Sequence, residues 1–302
     1  MKLHPIGAFD NSAKEYGRIR AMPLAAAMGA EIQGIQIKDV DDDSFEEIAD
    51  ALYRHGMIFF RDQDMELSDQ ERFTLRFGEF GTDAYTPGVP GHLNVQRVAK
   101  EADVRSKHIF GGGWHTDSPF LASPPSISLL FGADVPPYGG DTIWASTVLA
   151  YRTLSPTMQR MLAPLKVHMS ARDVLALVAS AAAPGGDPNR LASMDLKFDA
   201  ASMIEGSLHP LVRTHPVTGT KALYVDGAYT VGIDGLTDRE AAPLLDFLVE
   251  HITQHAFTCR LRWAKNTFAV WDNRLCLHQA FNDHDGFRRE MYRTTVMGEM
   301  PA

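Results

Sequence analysis

Apolar positions along the chain switch between two spacings, and the switches mark out its elements. EIQGIQI (31–37) alternates apolar and polar residues and predicts a strand. SFEEIADALYRHG (44–56) repeats its apolar residues at helical spacing and stops at a glycine. GMIFFRDQ (56–63) is a short apolar run that predicts a buried strand. Ser68 with Glu71 reads as a capping box for a helix through Phe77, closed by Gly78. Residues 80–113 carry little periodicity; they predict loops, one strand near 92–98 and a flexible GGGW stretch at 111–114. PSISLLFGADV (125–135) and TIWAS (142–146) predict strands on either side of a PPYGGDT turn, and Ser155-Pro156 predicts a helix start with Pro in its first position. LVRTHPVTGTKALYVD (211–226) predicts a hairpin turning at VTGT. Thr237 with Glu240 predicts a second capping box, for a helix to about His255, and FTCRLRW, NTFAVWDN and MYRTTVMG predict three closing strands.

Strands in this order do not alternate regularly with helices, which disfavours a doubly wound parallel sheet. The expectation is a mixed α/β chain whose core is a double-stranded β-helix (a jelly roll, cupin-like) with flanking helices. A single domain over 1–302 is expected, with a helical and loop insertion at about 170–206. That segment mixes a small-residue helix with a Gly/Pro break, and a long insertion of this kind reads as a lid. The 302 residues are 45% hydrophobic and 22% charged, an ordinary globular composition. A formal net charge of −9 argues against nucleic acid or an anionic membrane as the main partner. The start lacks the apolar stretch of a secretory signal, no apolar run is long enough to span a bilayer, and Cys259 and Cys276 are expected as small core residues. A cytoplasmic protein without a disulfide framework is the expectation.

Chemistry concentrates in two places. His115-Thr116-Asp117 offers an imidazole and a carboxylate two residues apart, and His278 offers a second imidazole far along the chain. Two histidines and one carboxylate suit a mononuclear non-haem Fe(II) with open coordination positions. The same three ligands also suit a hydrolytic zinc site, and a lone H-x-D is also an ordinary turn. In the C-terminal block, Arg289 and Arg293 lie four residues apart, on one face if the segment is a strand, with Met291 between them. Facing inward, they would need anionic partners, and a carboxylate is the natural match for a guanidinium fork; the alternatives are an exposed edge or pairing with protein carboxylates. Thr142 opens a strand after a Gly-Gly-Asp turn, where its hydroxyl could donate to a ligand carboxylate or bond locally. Asp272-Asn273 reads equally as a tight turn, and His108 and His284 as surface or supporting groups.

WHTDSPFLASPPSISLLF, the GGDT turn and WDNRLCLHQA…RREMYRTTVMG together resemble the Fe(II)/2-oxoglutarate-dependent taurine and phenoxyalkanoate dioxygenase family. MGAEIQGIQI, FFRDQ, RFGEFG, LSPTMQ, HPLVRTHPVTGTKALYV and FTCRLRW resemble family segments in the same order, so the resemblance covers most of the chain, nearest to the aryloxypropionate type. It implies a dioxygenase that uses Fe(II), 2-oxoglutarate and O2 to hydroxylate a C–H bond of a small organic acid, with succinate and CO2 as co-products. His115, Asp117 and His278 would ligate iron, Thr142 and Arg289 would hold the distal carboxylate of 2-oxoglutarate, and Arg293 would meet the acidic group of the prime substrate. The family's sulfonate-gripping His and Asn are replaced by Asp83 and Gly111. An aspartate there would repel a sulfonate, which points away from taurine. Tyr85, Phe110 and Gly111 would shape a pocket for a larger or more apolar acid, such as an aryloxyalkanoate or alkyl sulfate. A homo-oligomer, dimer or tetramer, is implied as well. A biosynthetic hydroxylase acting on an amino-acid-derived acid fits the same residues.

Overall fold

In the computed structural model, residues 9–82, 84–105, 109, 111–182 and 200–302 are described. Eight strands form one sheet in the spatial order Arg20–Pro23, Ala30–Gln33, Met57–Phe60, Thr267–Asp272, Ile127–Asp134, Arg289–Val296, His92–Lys100 and Gly88–Val89. Ala30–Gln33 runs parallel to Met57–Phe60, and the other neighbours are antiparallel. A second sheet has Thr142–Ser146 at its centre, between Thr258–Leu261 and Cys276–Ala280.

Period-two alternation decides how these sheets meet. In Thr267–Asp272, Phe268 and Val270 join Ile58, Phe60, Leu129 and Phe131 on the face covered by the helices Asp42–His55 and Leu67–Phe77. Ala269 and Trp271 point the other way, with Met57, Phe59 and Met291, and meet Trp144, Leu261 and Cys276 of the three-stranded sheet and Trp263 just beyond it. Two sheets thus face each other across an apolar layer, as in a jelly roll, with helices outside. Among the described residues the strands form separate sheets of eight, three, three and two, and the expected double-stranded β-helix does not close into a barrel.

The helix starts show how local chemistry sets boundaries. The first long helix begins at Asp42, because Asp41 and Ser44 close a capping box, and it stops at Gly56, whose φ of 71° suits glycine. The next begins at Leu67 with a box of Glu66 and Asp69, not the expected Ser68 and Glu71; Ser68 already lies inside the helix. Thr237 and Glu240 do cap Asp238–Ile252, which ends three residues before the expected His255. The expected strand at 31–37 ends at Gln33, where Gly34 turns with φ 92° and a 3-10 turn follows at Ile37–Asp39. The hairpin forms as expected, Val212–Thr214 pairing with Lys221–Leu223. Periodicity did not reveal the helix Thr147–Thr153, or the sheet of Lys166–Met169, Ser207–Pro210 and Thr230–Ile233. Of the insertion expected at 170–206, the helices Arg172–Ala182 and Ala200–Glu205 are seen, and 183–199 lie outside the described residues. Among the described residues, no helix is long and apolar enough to cross a membrane.

Candidate metal centre

His278 lies in the edge strand Cys276–Ala280, where Cys276 shares its inward face and packs into the apolar layer. His115 comes from a loop that is fastened to this strand by a pair of backbone bonds: His115 N donates to His278 O (3.0 Å) and His278 N to His115 O (2.8 Å). The two imidazoles therefore stand side by side, centroids 4.1 Å apart. Asp117 completes the group, with Oδ1 at 3.9 Å from Nε2 of each histidine. One ligand atom from each of the three buried residues falls within 4.8 Å of the others.

The surroundings orient these atoms. Nδ1–H of His115 donates to Gly113 O at 2.8 Å, which fixes the tautomer and leaves the Nε2 lone pair facing Asp117. The other oxygen of Asp117, Oδ2, accepts from Ser128 Oγ at 2.5 Å. Ser128 in turn accepts from Asn273 Nδ2 (2.9 Å), and Asn273 Oδ1 from Trp271 Nε1 (3.0 Å). Burial raises the proton affinity of Asp117, but Arg293, His278, His115 and Ser128 outweigh it and hold its pKa down to about 2. Burial, with His115 and Arg293, pushes His278 down to about 3, against the opposite pull of Asp117. A carboxylate and a neutral imidazole are the protonation states that a metal takes up. The donor set, its burial and its orientation fit a 2-His-1-carboxylate Fe(II) site.

The motif's middle residue anchors the loop. Thr116 Oγ1 donates to Asn273 O (3.0 Å), and Thr116 N to Asp226 Oδ2 (3.2 Å). Asp226 also accepts from the backbone N–H groups of Ala228, Tyr229 and Thr230, and Gly227 N donates to Trp114 O. A turn more than a hundred residues away is thereby locked to the metal motif, and burial raises the pKa of its aspartate. Sequence reading missed Ser128, Trp271, Asp226 and Tyr229. The polar Ser128 within an otherwise apolar strand was the one local signal. Asp272-Asn273 proves to be both turn and support. Asn273 steadies Ser128, and Asp272 is clamped by Arg274 and His215.

Arg289 and Arg293 share the inward face with Met291, as the spacing predicts, and both are buried. Four strand residues separate them by about 13 Å. Arg293 sits at the metal end, Nη1 donating to Asp117 Oδ1 at 3.2 Å. Arg289 lies at the other end, where Nε donates to Gly140 O (3.2 Å) and its guanidinium is 5.8 Å from the Trp263 ring centre. Trp263 Nε1 donates to Thr142 Oγ1 at 3.0 Å, so Thr142 and Arg289 border one indole. Burial pushes Arg289 down to about 10, with Asp141 opposing.

A cavity of about 400 Å³ opens beside His115, lined by Gly111, Ile109, Val174, Leu177, Tyr229 and Phe281 among others. Gly111 is required there, since its φ is 73° and a Cβ would sit 3.2 Å from the His115 ring. Tyr85 Oη donates to Tyr229 Oη at 2.7 Å, behind that wall. Asp83 and Phe110 lie outside the described residues, as does His108. His284 is no surface group but almost wholly buried.

Comparison with known proteins agrees with this geometry. The chain is 33% identical to an alpha-ketoglutarate-dependent sulfate ester dioxygenase of Pseudomonas putida, over 93% of this chain and 90% of that one. It is 29% identical to the (S)-phenoxypropionate/alpha-ketoglutarate-dioxygenase of Sphingobium herbicidovorans, over 92% and 94%. The crystal structure of a taurine dioxygenase from Burkholderia xenovorans superposes with a TM-score of 0.78 at 32% identity, covering 95% of this chain and 91% of that one. With the family model "Taurine catabolism dioxygenase TauD, TfdA family" matching residues 20–295, the chain belongs to that family and is an alpha-ketoglutarate-dependent dioxygenase.

Proposed function

We propose that the prime substrate is a small organic acid with an apolar body, an alkyl sulfate ester or aryloxyalkanoate rather than taurine. The observation that carries this is the cavity at His115, whose wall includes Ile109, Val174, Leu177, Ala228 and Phe281. An apolar wall of this size favours a hydrocarbon or aryl body over a short zwitterion. The relatives that act on sulfate esters and phenoxypropionate support the same class.

In this reading His115, Asp117 and His278 hold Fe(II). With 2-oxoglutarate and O2 bound, the metal supplies the oxidant that converts a substrate C–H to C–OH, while 2-oxoglutarate leaves as succinate and CO2. The protein's residues position and exclude. Thr142 pairs with Ala280 and Trp144 with His278, so the Thr142 hydroxyl is two strand residues, about 7 Å, from the metal row. That separation suits a keto acid whose distal carboxylate Thr142 and Arg289 would hold while its other end reached the site of His115, Asp117 and His278. Arg293, already beside Asp117, meets the substrate's acid group and turns one C–H bond towards the metal. Val174 and Leu177 come from the helix that opens the 170–206 insertion. Their place in the cavity wall supports reading that insertion as a lid that keeps bulk water out, within a jelly-roll domain that spans the chain.

The test is succinate formation with Fe(II) and ascorbate across alkyl sulfates, aryloxyalkanoates, alkyl sulfonates and taurine. Turnover should rise with the apolar body of the acid and be slowest with taurine. A preference for taurine would overturn the substrate class, and His115→Ala should abolish turnover with every acid.

A further inference from the structure

His284 follows the last metal-binding strand by four residues. It is 1% exposed, and neither ring nitrogen has a hydrogen-bond partner among the described residues. Buried imidazoles ordinarily find partners, so a pair of unmet ring nitrogens marks a place where something else binds.

The place is defined from three sides. At Gly140 a Cβ would stand 3.3 Å from His284 Nδ1, 3.2 Å from Arg289 Cδ and 3.4 Å from Arg289 Nε, so imidazole and guanidinium arm converge beside one glycine. Its φ of 66° and these contacts both favour glycine there. The loop is pinned on each flank: Gly140 N donates to Asp283 Oδ1 (2.7 Å), and Lys100 Nζ to Asn282 Oδ1 (2.9 Å) and Asp285 Oδ1 (2.8 Å). Lys100, 5% exposed, is the cross-strand partner of Arg289. Asp283 and Asp285 are thus engaged, and Asp141, whose charge also reaches Arg289, is paired with Arg260 (2.7 Å); Arg289 hydrogen-bonds a carbonyl but no carboxylate among the described residues. An anion is the group this corner lacks.

We propose that His284 is a third residue of the co-substrate site, donating an imidazole N–H to the distal carboxylate of 2-oxoglutarate beside Arg289 and Thr142. This rests on reading Arg289 as the carboxylate-binding arginine. Burial, Lys100 and Arg289 hold the imidazole down to about 4 against Asp283 and Asp285, so at neutral pH it keeps one N–H to donate and brings no third positive charge into the corner.

Anaerobic calorimetry on the Fe(II)-loaded enzyme tests it, with 2-oxoglutarate and 2-oxovalerate, the same five-carbon keto acid with a methyl in place of the distal carboxylate. His284→Phe retains the ring and removes the donor, and should weaken 2-oxoglutarate about tenfold, the scale of one charge-assisted hydrogen bond. It should leave 2-oxovalerate unchanged, and His284→Gln, which restores a donor, should recover most of the loss. If the Phe variant does not fold, His284→Asn, whose shorter amide falls back from the corner, should show the same split between the two ligands. Unchanged 2-oxoglutarate affinity, or equal weakening of both keto acids, overturns the proposal. Arg289→Ala separates the two layers. If that variant binds 2-oxoglutarate normally, the underlying assignment is wrong. If it binds weakly while His284→Phe binds normally, only the role of His284 falls.

Discussion

Asp117 shows how much a single ligand depends on groups that never touch the metal. One oxygen faces the two imidazoles; the other is held by Ser128, which Asn273 and Trp271 hold in turn. Removing a hydrogen bond of this kind typically costs 10–100-fold in metal affinity, because the carboxylate is then free to rotate. Ser128→Ala should therefore weaken Fe(II) binding by about that factor, measured by metal titration. Stability in urea unfolding should fall as well, by about 1–3 kcal/mol, because Asn273 Nδ2 loses its buried acceptor, so metal affinity is the readout that separates orientation from folding. An unchanged metal affinity would show that the buried geometry alone orients Asp117. The ligands were legible because His115, Asp117 and His278 carry their chemistry in their identity. Ser128 was not, since a serine in an apolar run reads the same whether it supports a ligand or fills space.

At the scale of elements, the metal loop owes its position to a turn that contributes no ligand. Asp226 gathers the N–H groups of Thr116, Ala228, Tyr229 and Thr230, joining residues 115–117 to the segment that carries Tyr229 into the cavity wall. Asp226→Ala leaves these buried donors without an acceptor and should lower stability by about 2–3 kcal/mol in urea unfolding. It should also lower metal affinity, because the loop carrying His115 and Asp117 loses its far anchor. Asp226→Asn retains one acceptor oxygen and should lie between the two. An Ala variant as stable as the parent would mean that water takes over the four donors. Helices and strands with strong local signals, such as Asp238–Ile252 with its Thr237–Glu240 box, were readable from sequence. Short strands such as Thr230–Ile233 were not, because four residues seldom establish a period and their pairing partners lie far along the chain.

Across the whole molecule, long-range pairing decides what no local pattern can. Thr267–Asp272 inserts between Met57–Phe60 and Ile127–Asp134, and Arg289–Val296 between Ile127–Asp134 and His92–Lys100. Chain ends therefore build the centre of the main sheet, and polar groups from distant segments end up buried together. Two of these are histidines outside the metal group. His55, bonded through Nδ1 to Asn11 Oδ1, is pushed down to about 4 by burial and Arg54, with Asp50 opposing. His284 is held at about 4 as well, by burial, Lys100 and Arg289, with Asp283 and Asp285 opposing. The unfolded chain binds these protons near pH 6.5, and the folded chain only near pH 4. Each group therefore leaves stability intact above pH 6.5 and removes it as the pH falls towards 4. Between pH 7.5 and 5.5 each should cost about 1.4 kcal/mol, one pH unit of differential protonation. His284→Phe should flatten the stability curve of the metal-free protein by that amount over this interval, read from urea unfolding at both pH values. Curves that stay parallel would mean that His284 takes up its proton without unfolding, and that its corner holds a cationic imidazole beside Lys100 and Arg289.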